Sequence, residues 1–301
     1  MGEAVRARPR SVEEHGAMMA QLAPSAEEIA GFKPLDPRPS DVVITPFGKC
    51  GTTMLQQMFH QIRTSADGGD MDFDDISRVT PWIEMGILLP ETDINAEQVA
   101  NPRGFKSHLH YEGLPPGMRY LVSLRDPKEA YMSMYHFFEG WLFEPGTIQP
   151  EEFMPVWSRG GPSGVDYFKH LLSWWARRDE ADTLVLDYRW IIANKRSAIA
   201  RVAELMGIAI ARDATDMVEA RTSREYMLAH KDRFDDLLMR TMIHRRLGLP
   251  LDSDSSKVRG ENERRLPLPA SIGEQIDAMW AERVAPVTGH ATYAELAATL
   301  A

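Results

Sequence analysis

The sequence has a single cysteine, Cys50, in 301 residues. One thiol cannot close a disulfide within the chain and offers no Cys-rich zinc site, so a reducing compartment fits best. There is no apolar run of the roughly 18 residues that span a bilayer. No hydrophobic stretch follows the arginines near the N-terminus, which argues against a secretory signal. Arg6 stands where N-myristoylation needs Ser or Thr. The expected location is therefore the cytoplasm, with no integral membrane segment. Positive charge is also scarce: 34 Lys and Arg face 44 Asp and Glu, a formal net charge of −10. Phosphate backbones reward a broad positive field, so nucleic acid and anionic membrane are poor partners. A small anionic ligand stays open if a few basic side chains converge. Neither a fixed period nor a low-complexity tract is present, which excludes a solenoid.

What is present is a globular balance, with 44% hydrophobic and 26% charged residues, enough to build a core. Residues 12–32 read as short surface helices, with a helix start at Pro24-Ser25, and Pro34 to Pro39 make a stiff lead-in. Asp41–Thr45 is a short β-branched run that predicts a buried strand. After a Pro-Phe-Gly turn, Met54, Leu55, Met58, Phe59 and Ile62 recur at helical spacing. The alternation repeats, with strands expected at Gly104–Leu109, Tyr120–Leu124 and Thr183–Leu186. Pro127 opens one helix, and Gly207 closes another that runs through Ile199, Val202, Leu205 and Met206. Helices are expected over most of 195–245, with a last one from Ser271 to Val284. Strands alternating with helices imply an α/β fold, a parallel sheet covered by helices on both faces. Residues 67–102 and 140–165 read as insertions or mobile loops. No linker stands out, so the chain is expected to be one domain over 1–301, with a helical lead-in over 1–40, a core over 41–265 and a C-terminal helix over 266–301.

Two segments concentrate the chemistry. Gly48-Lys49-Cys50-Gly51-Thr52-Thr53 lies between a strand and a helix. Backbone N–H groups and the dipole at a helix start attract an anion, glycine permits close approach, and Lys and Thr add charge and hydrogen bonds. It is not a Walker A loop, which needs Gly five residues before its Gly-Lys, where Val43 stands here. Taken alone, the six residues can also be an ordinary turn with a surface lysine. Arg125-Asp126-Pro127-Lys128 follows a strand, at the carboxyl end where α/β sheets bind ligands. An arginine there can fork two hydrogen bonds onto a phosphate, or simply pair with a neighbouring carboxylate.

The ordered set of motifs resembles the PAPS-dependent sulfotransferases of the cytosolic type, which implies a P-loop-like α/β domain. Lys49-Cys50-Gly51-Thr52-Thr53 is similar to their Lys-Ser-Gly-Thr-Thr loop for the 5′-phosphosulfate. The run from Tyr120 to Phe137 resembles their 3′-phosphate segment. Phe105-Lys106-Ser107-His108-Leu109 resembles their Phe-x-Lys-Thr-His-Leu strand, less one residue. Tyr188 and Thr222-Ser223 resemble adenine-side positions, and Val258-Arg259-Gly260 resembles the closing Arg-Lys-Gly. Carried over, the resemblance implies that Lys49 neutralises the oxygen bridging donor phosphate and sulfur. Cys50, Gly51, Thr52 and Thr53 belong to the 5′-phosphate loop. Arg125, Ser133 and Arg259, with Gly260 beside it, hold the 3′-phosphate, and Tyr188 and Thr222 flank the base. His108 is the general base and Lys106 steadies the sulfuryl group. The donor is PAPS, its product is PAP, and no metal is called for. This chain departs from the pattern at Met54, in place of a stacking tryptophan, and at Arg224, in place of an aromatic. In the closing motif Val258 replaces a basic residue and Glu261-Asn262-Glu263-Arg264 follows, so Lys257 competes with Arg259 for the closing role.

The chemistry of sulfuryl transfer suits these residues. Charge grows on a leaving oxygen, so positioned cations do most of the work. A hydroxyl acceptor must lose its proton, and an imidazole with an ordinary pKa near about 6.5 can take it. His108 and His110 alternate along one strand and could in principle share a metal, but no cysteine or acidic cluster completes that site. His136 reads as packing. A thiol at a helix start can be reactive, although Cys50 more simply fills space. Phe47, Trp82, Ile83, Met85, Phe138, Trp141, Leu142 and Phe143 are expected to line an acceptor pocket, favouring an apolar small-molecule or lipid-like alcohol. Two alternatives are a P-loop-like kinase, which a strict magnesium requirement would favour, and a noncatalytic nucleotide-binding protein, which has no use for a general base. The oligomeric state is left open.

Overall fold

The computed structural model describes residues 6–89, 92–160, 164–251 and 266–300. Its sheet has β1 Val42–Ile44, β2 Gly104–Lys106, β3 Arg119–Leu124 and β4 Thr183–Asp187, all parallel, in the order β2-β1-β3-β4. The three residues of β1 are fully buried, as both faces of a parallel strand require. Side-chain alternation splits the core: Val43, Tyr120, Val122 and Val185 face one side, and Val42, Ile44, Leu121 and Leu186 the other.

The helices that matter for the site are α1 Val12–Met19, α2 Thr52–Arg63, α3 Pro127–Glu139, α4 Tyr167–Trp175, α5 Tyr188–Ala193, α6 Lys195–Met206, α7 Arg212–Arg221, α8 Leu237–Leu247 and α9 Ala270–Arg283. α2, α6 and α7 cover the face of Val42 and Ile44 through Leu55, Phe59, Ile62, Ile199, Val202 and Val218. α3, α4 and α9 cover the other through Tyr131, Met134, Phe168, Trp174, Ile276 and Trp280. Gly207, at φ +72°, ends α6 in the left-handed conformation expected of it. At the amino end of the sheet, Arg103 grips Asp41 with two hydrogen bonds of 3.0 and 2.6 Å, and both side chains are buried.

Three expectations change. The strand over 104–109 stops at Lys106. Ser107 N–H still donates to Ile44 C=O (2.9 Å), but β1 has ended and Pro46 has no N–H with which to extend the ladder. The segments 67–102 and 140–165 are packed, at their described residues, rather than loose: Ile76, Phe153 and Trp157 are fully buried in short helical turns. The helix Ala270–Arg283 is not the last element, because Ala285–Thr288 and Tyr293–Ala297 follow it and return to the sheet through Tyr293 OH, which donates to Asp187 Oδ2 (2.6 Å). Among the described residues no helix is long and apolar enough to cross a membrane.

Candidate functional site

The chain leaves β1 towards β2 on one side and leaves β3 towards β4 on the other. A crevice therefore opens beyond the carboxyl ends of β1 and β3, the switch point where open α/β sheets bind ligands. The loop after β1 turns through two left-handed residues, Lys49 (φ +68°) and Gly51 (φ +98°). Glycine is needed at 51 for space as well as for φ, since a Cβ there would lie 2.7 Å from the Tyr188 ring. The Lys49 ammonium lies 3.7 Å above the Phe137 ring. Gly51 gives α2 no side-chain cap, and Thr52 and Thr53 line the cavity at the helix start. Thr52 Oγ1 is buried without a hydrogen-bond partner. Uncapped amides beside an unsatisfied buried hydroxyl form a cradle that an oxyanion fits. Cys50 points away into the core, where burial pushes its thiol up to about 12, and its carbonyl accepts from Ser123 Oγ. Its role is packing, and only its backbone belongs to the loop.

The end of β3 divides the work of Arg-Asp-Pro-Lys. Arg125 enters the cavity, where its Nη1 donates to Lys49 C=O (3.0 Å) and its guanidinium lies 4.9 Å from the Tyr188 ring centroid. The Asp126 carboxylate accepts from Lys128 N–H (2.8 Å), capping α3, while Pro127 opens the helix. Lys128 turns outward to Asp277 of α9 (2.7 Å). Glu129 accepts from Arg125 Nε (3.1 Å) and also from Arg189, so it bridges two cavity-lining arginines. Ser133 lines the cavity one turn further along α3. Tyr188 is set by Asp187, whose Oδ1 accepts from Trp190 N–H (2.7 Å) at the start of α5.

The end of β2 supplies the other wall. Lys106 is buried, with its ammonium 3.6 Å above Trp82 and 3.7 Å from Asp236 Oδ1. The His108 backbone N–H donates to Glu84 Oε1 (2.5 Å), and burial pushes the Glu84 carboxyl above its ordinary range. His108 Nδ1 lies 2.7 Å from Pro46 C=O. A carbonyl only accepts, so Nδ1 carries the proton and the neutral ring has its lone pair on Nε2. His110 instead faces Glu112 at 3.8 Å, so the two histidines do not converge.

These walls enclose one cleft of about 1760 Å³. That exceeds the usual pocket for one small ligand, about 300–1,000 Å³, and leaves room for two reactants. Of the expected acceptor lining, Phe47, Trp82, Met85, Phe138, Trp141 and Leu142 face the cleft. Ile83 and Phe143 do not; both pack in or against the core.

Residues 39–249 match the family model of the sulfotransferase domain. The chain belongs to the sulfotransferase family. It is similar to rat sulfotransferase 1C2, 26% identical over 213 residues that cover 68% of this chain and 71% of the relative. Retinol dehydratase, solved with androsterone and the inactive cofactor PAP, shares the fold at 17% identity, with a TM-score of 0.64 over 82% of this chain and 81% of its own. Mouse sulfotransferase SULT7A1, solved with PAP, does so at 17% identity, with a TM-score of 0.62 over 92% and 93%.

In this sulfotransferase the positions expected to flank a base depart furthest from the sequence reading. Thr222 lines the cleft, yet its hydroxyl is turned back to Val218 C=O (2.7 Å). Its carbonyl accepts from Lys195 Nζ (3.2 Å), which also reaches Met54 Sδ (3.2 Å). Burial lowers the Lys195 pKa to about 8, against the opposing pull of Glu219. Arg224 is exposed at the cleft rim. Sequence reasoning missed Arg189 and Lys195. The adjacency of Arg189 to Tyr188 is a usable signal, whereas Lys195 reads as one more surface helix residue. It also missed Asp236, left-handed at φ +57° and buried where α8 begins. Lys257, Val258, Arg259 and Gly260 lie outside the described residues.

Proposed function

We propose that this sulfotransferase moves the sulfuryl group of PAPS onto the hydroxyl of an apolar small-molecule or lipid-like acceptor, working in the cytoplasm as one domain. The observation that supports this most is the meeting of two walls in one cleft: an anion cradle with Lys49 and Arg125, and the Lys106–His108 strand end. As substrate, PAPS brings an activated sulfate and two phosphates. The α2 amides, Gly51, Thr52 and Thr53 hold the 5′-phosphate, where the lone Thr52 hydroxyl gains its missing partner. Arg125, with Ser133 and Arg259-Gly260, takes the 3′-phosphate, and Glu129 keeps Arg125 oriented. Tyr188, Met54 and the backbone around Thr222 flank the base, with Lys195 at its edge. Lys49 neutralises charge on the bridging oxygen as the sulfur–oxygen bond breaks, an electrostatic term that acts in the transition state. His108 Nε2 takes the acceptor proton, with its tautomer fixed by Pro46 C=O. Lys106 steadies the sulfuryl oxygens once they compete with Asp236 for its ammonium.

The walls of aromatic, methionine and leucine side chains, among them Trp82, Met85, Trp141 and Leu142, support an apolar acceptor. The androsterone bound by retinol dehydratase is an alcohol of this kind. The test is turnover of PAPS with a panel of sterols, alkanols, phenols and polysaccharides, for wild type and His108→Ala. The expected result is sulfation confined to apolar alcohols, and a kcat at least about a hundredfold lower in His108→Ala with PAP affinity kept. Equal turnover of polysaccharide would end the apolar reading, and an active His108→Ala would end the general-base role.

A further inference from the structure

One wall of the cleft carries a polar group that the proposed chemistry does not use. His15, in the N-terminal helix α1, lines the cleft and is only 6% exposed. Its ring stacks on Phe143 at 4.7 Å between centroids and lies 5.9 Å from Phe138. Neither Nδ1 nor Nε2 has a hydrogen-bond partner. A neutral imidazole has one N–H to donate and one lone pair to fill, and burying both unpaired is a cost that a phenylalanine of the same outline would not incur. Burial, reinforced by Arg159, lowers the His15 pKa to about 4, so the ring is neutral at physiological pH.

Arg159 lines the same cleft. Its Nε donates to Pro155 C=O (3.0 Å), and its Nη1 would lie 3.3 Å from a Cβ on Gly16, so the guanidinium passes over the bare backbone next to His15. A neutral N–H beside a guanidinium suits an oxygen acceptor and disfavours an amine cation. The ring neighbours of His15 are Phe138 and Phe143, whereas His108 packs on Trp82. The two imidazoles share no ring neighbour, and His15 comes from α1 whereas His108 follows β2.

We propose that His15, with Arg159 beside it, is a second recognition point for the acceptor, binding a hydrogen-bond-accepting oxygen such as a ketone placed away from the hydroxyl that is sulfated. The acceptor is then an apolar molecule with an oxygen function at two places. This rests on the proposed sulfotransferase chemistry with an apolar alcohol.

The experiment compares androsterone, with a hydroxyl at one end and a ketone at the other, with the androstanol that lacks the ketone. KM is measured for both with PAPS, in wild type and His15→Phe, with PAP affinity as the check on folding. Wild type is expected to favour androsterone by about tenfold in KM, the effect of one buried hydrogen bond. His15→Phe, which keeps the stacked ring and removes both nitrogens, is expected to bring the ratio close to one, and His15→Gln to restore part of it. A wild-type ratio near one, or a ratio that His15→Phe leaves unchanged, overturns this inference alone. If wild type binds PAP but sulfates neither steroid, the steroid-like acceptor class falls and this inference falls with it. Should His15→Phe lose PAP binding, His15→Leu is read in its place, and a ratio that it leaves at the wild-type value overturns the inference.

Discussion

Lys195 is held where its own charge is disfavoured, and this gives a signed pH test. Its pKa falls from 10.5 to about 8 on folding, so between those values the unfolded chain binds more protons than the folded one. Folding stability then rises with pH across that window, and below about 8 the full penalty remains. Urea midpoints of wild type and Lys195→Met, followed from neutral to strongly alkaline pH, are expected to show wild type gaining on the variant between about 8 and 10.5; parallel curves would contradict the placement. At this scale the sequence was most legible where residue type and chemistry coincide. Lys49, Thr52, Thr53, Lys106, His108, Arg125, Ser133 and Tyr188 all reach one cleft. It was least legible where a side chain's direction depends on packing: Cys50 turns into the core, the Thr222 hydroxyl turns to its own helix, and Lys195 turns inward.

The loop between β1 and α2 is the element on which the proposed donor site depends. Gly51 combines a left-handed φ with close approach to Tyr188, whose other neighbour is the Arg125 guanidinium. Gly51→Ala is expected to destabilise the fold by about 1–3 kcal/mol and to weaken PAP binding, because the ring must move and Arg125 with it. Urea unfolding and PAP titration check this, and an Ala variant equal to wild type in both would show that the loop is not so constrained. All four strands were legible, β1 from its β-branched Val42-Val43-Ile44 run and the others from short apolar stretches alternating with helices, and α2 from its stripe of Leu55, Met58, Phe59 and Ile62. The end of β2 was not, because it depends on where a neighbouring strand stops rather than on its own residues. Nor was the packing of 67–102 and 140–165, where glycines and prolines obscured the buried aromatics Phe153 and Trp157.

Over the whole molecule a net charge of −10 coexists with a local gathering of cations. Lys49, Lys106, Arg125, Arg159, Arg189, Lys195 and Arg224 border one cleft, opposed there by Glu84, Glu129, Glu219 and Asp236. Such an arrangement suits a compact polyanion better than a long one, since the chain's net negative charge opposes an extended phosphate chain. The most direct test is calorimetric titration of the protein with PAP and with ATP, for wild type and Arg125→Ala. The account predicts that PAP binds, that ATP binds at least about tenfold more weakly, and that Arg125→Ala weakens PAP by about tenfold or more through loss of a charge-assisted contact. Folded protein that ignores PAP, or that binds PAP and ATP alike with no effect of Arg125→Ala, would contradict it.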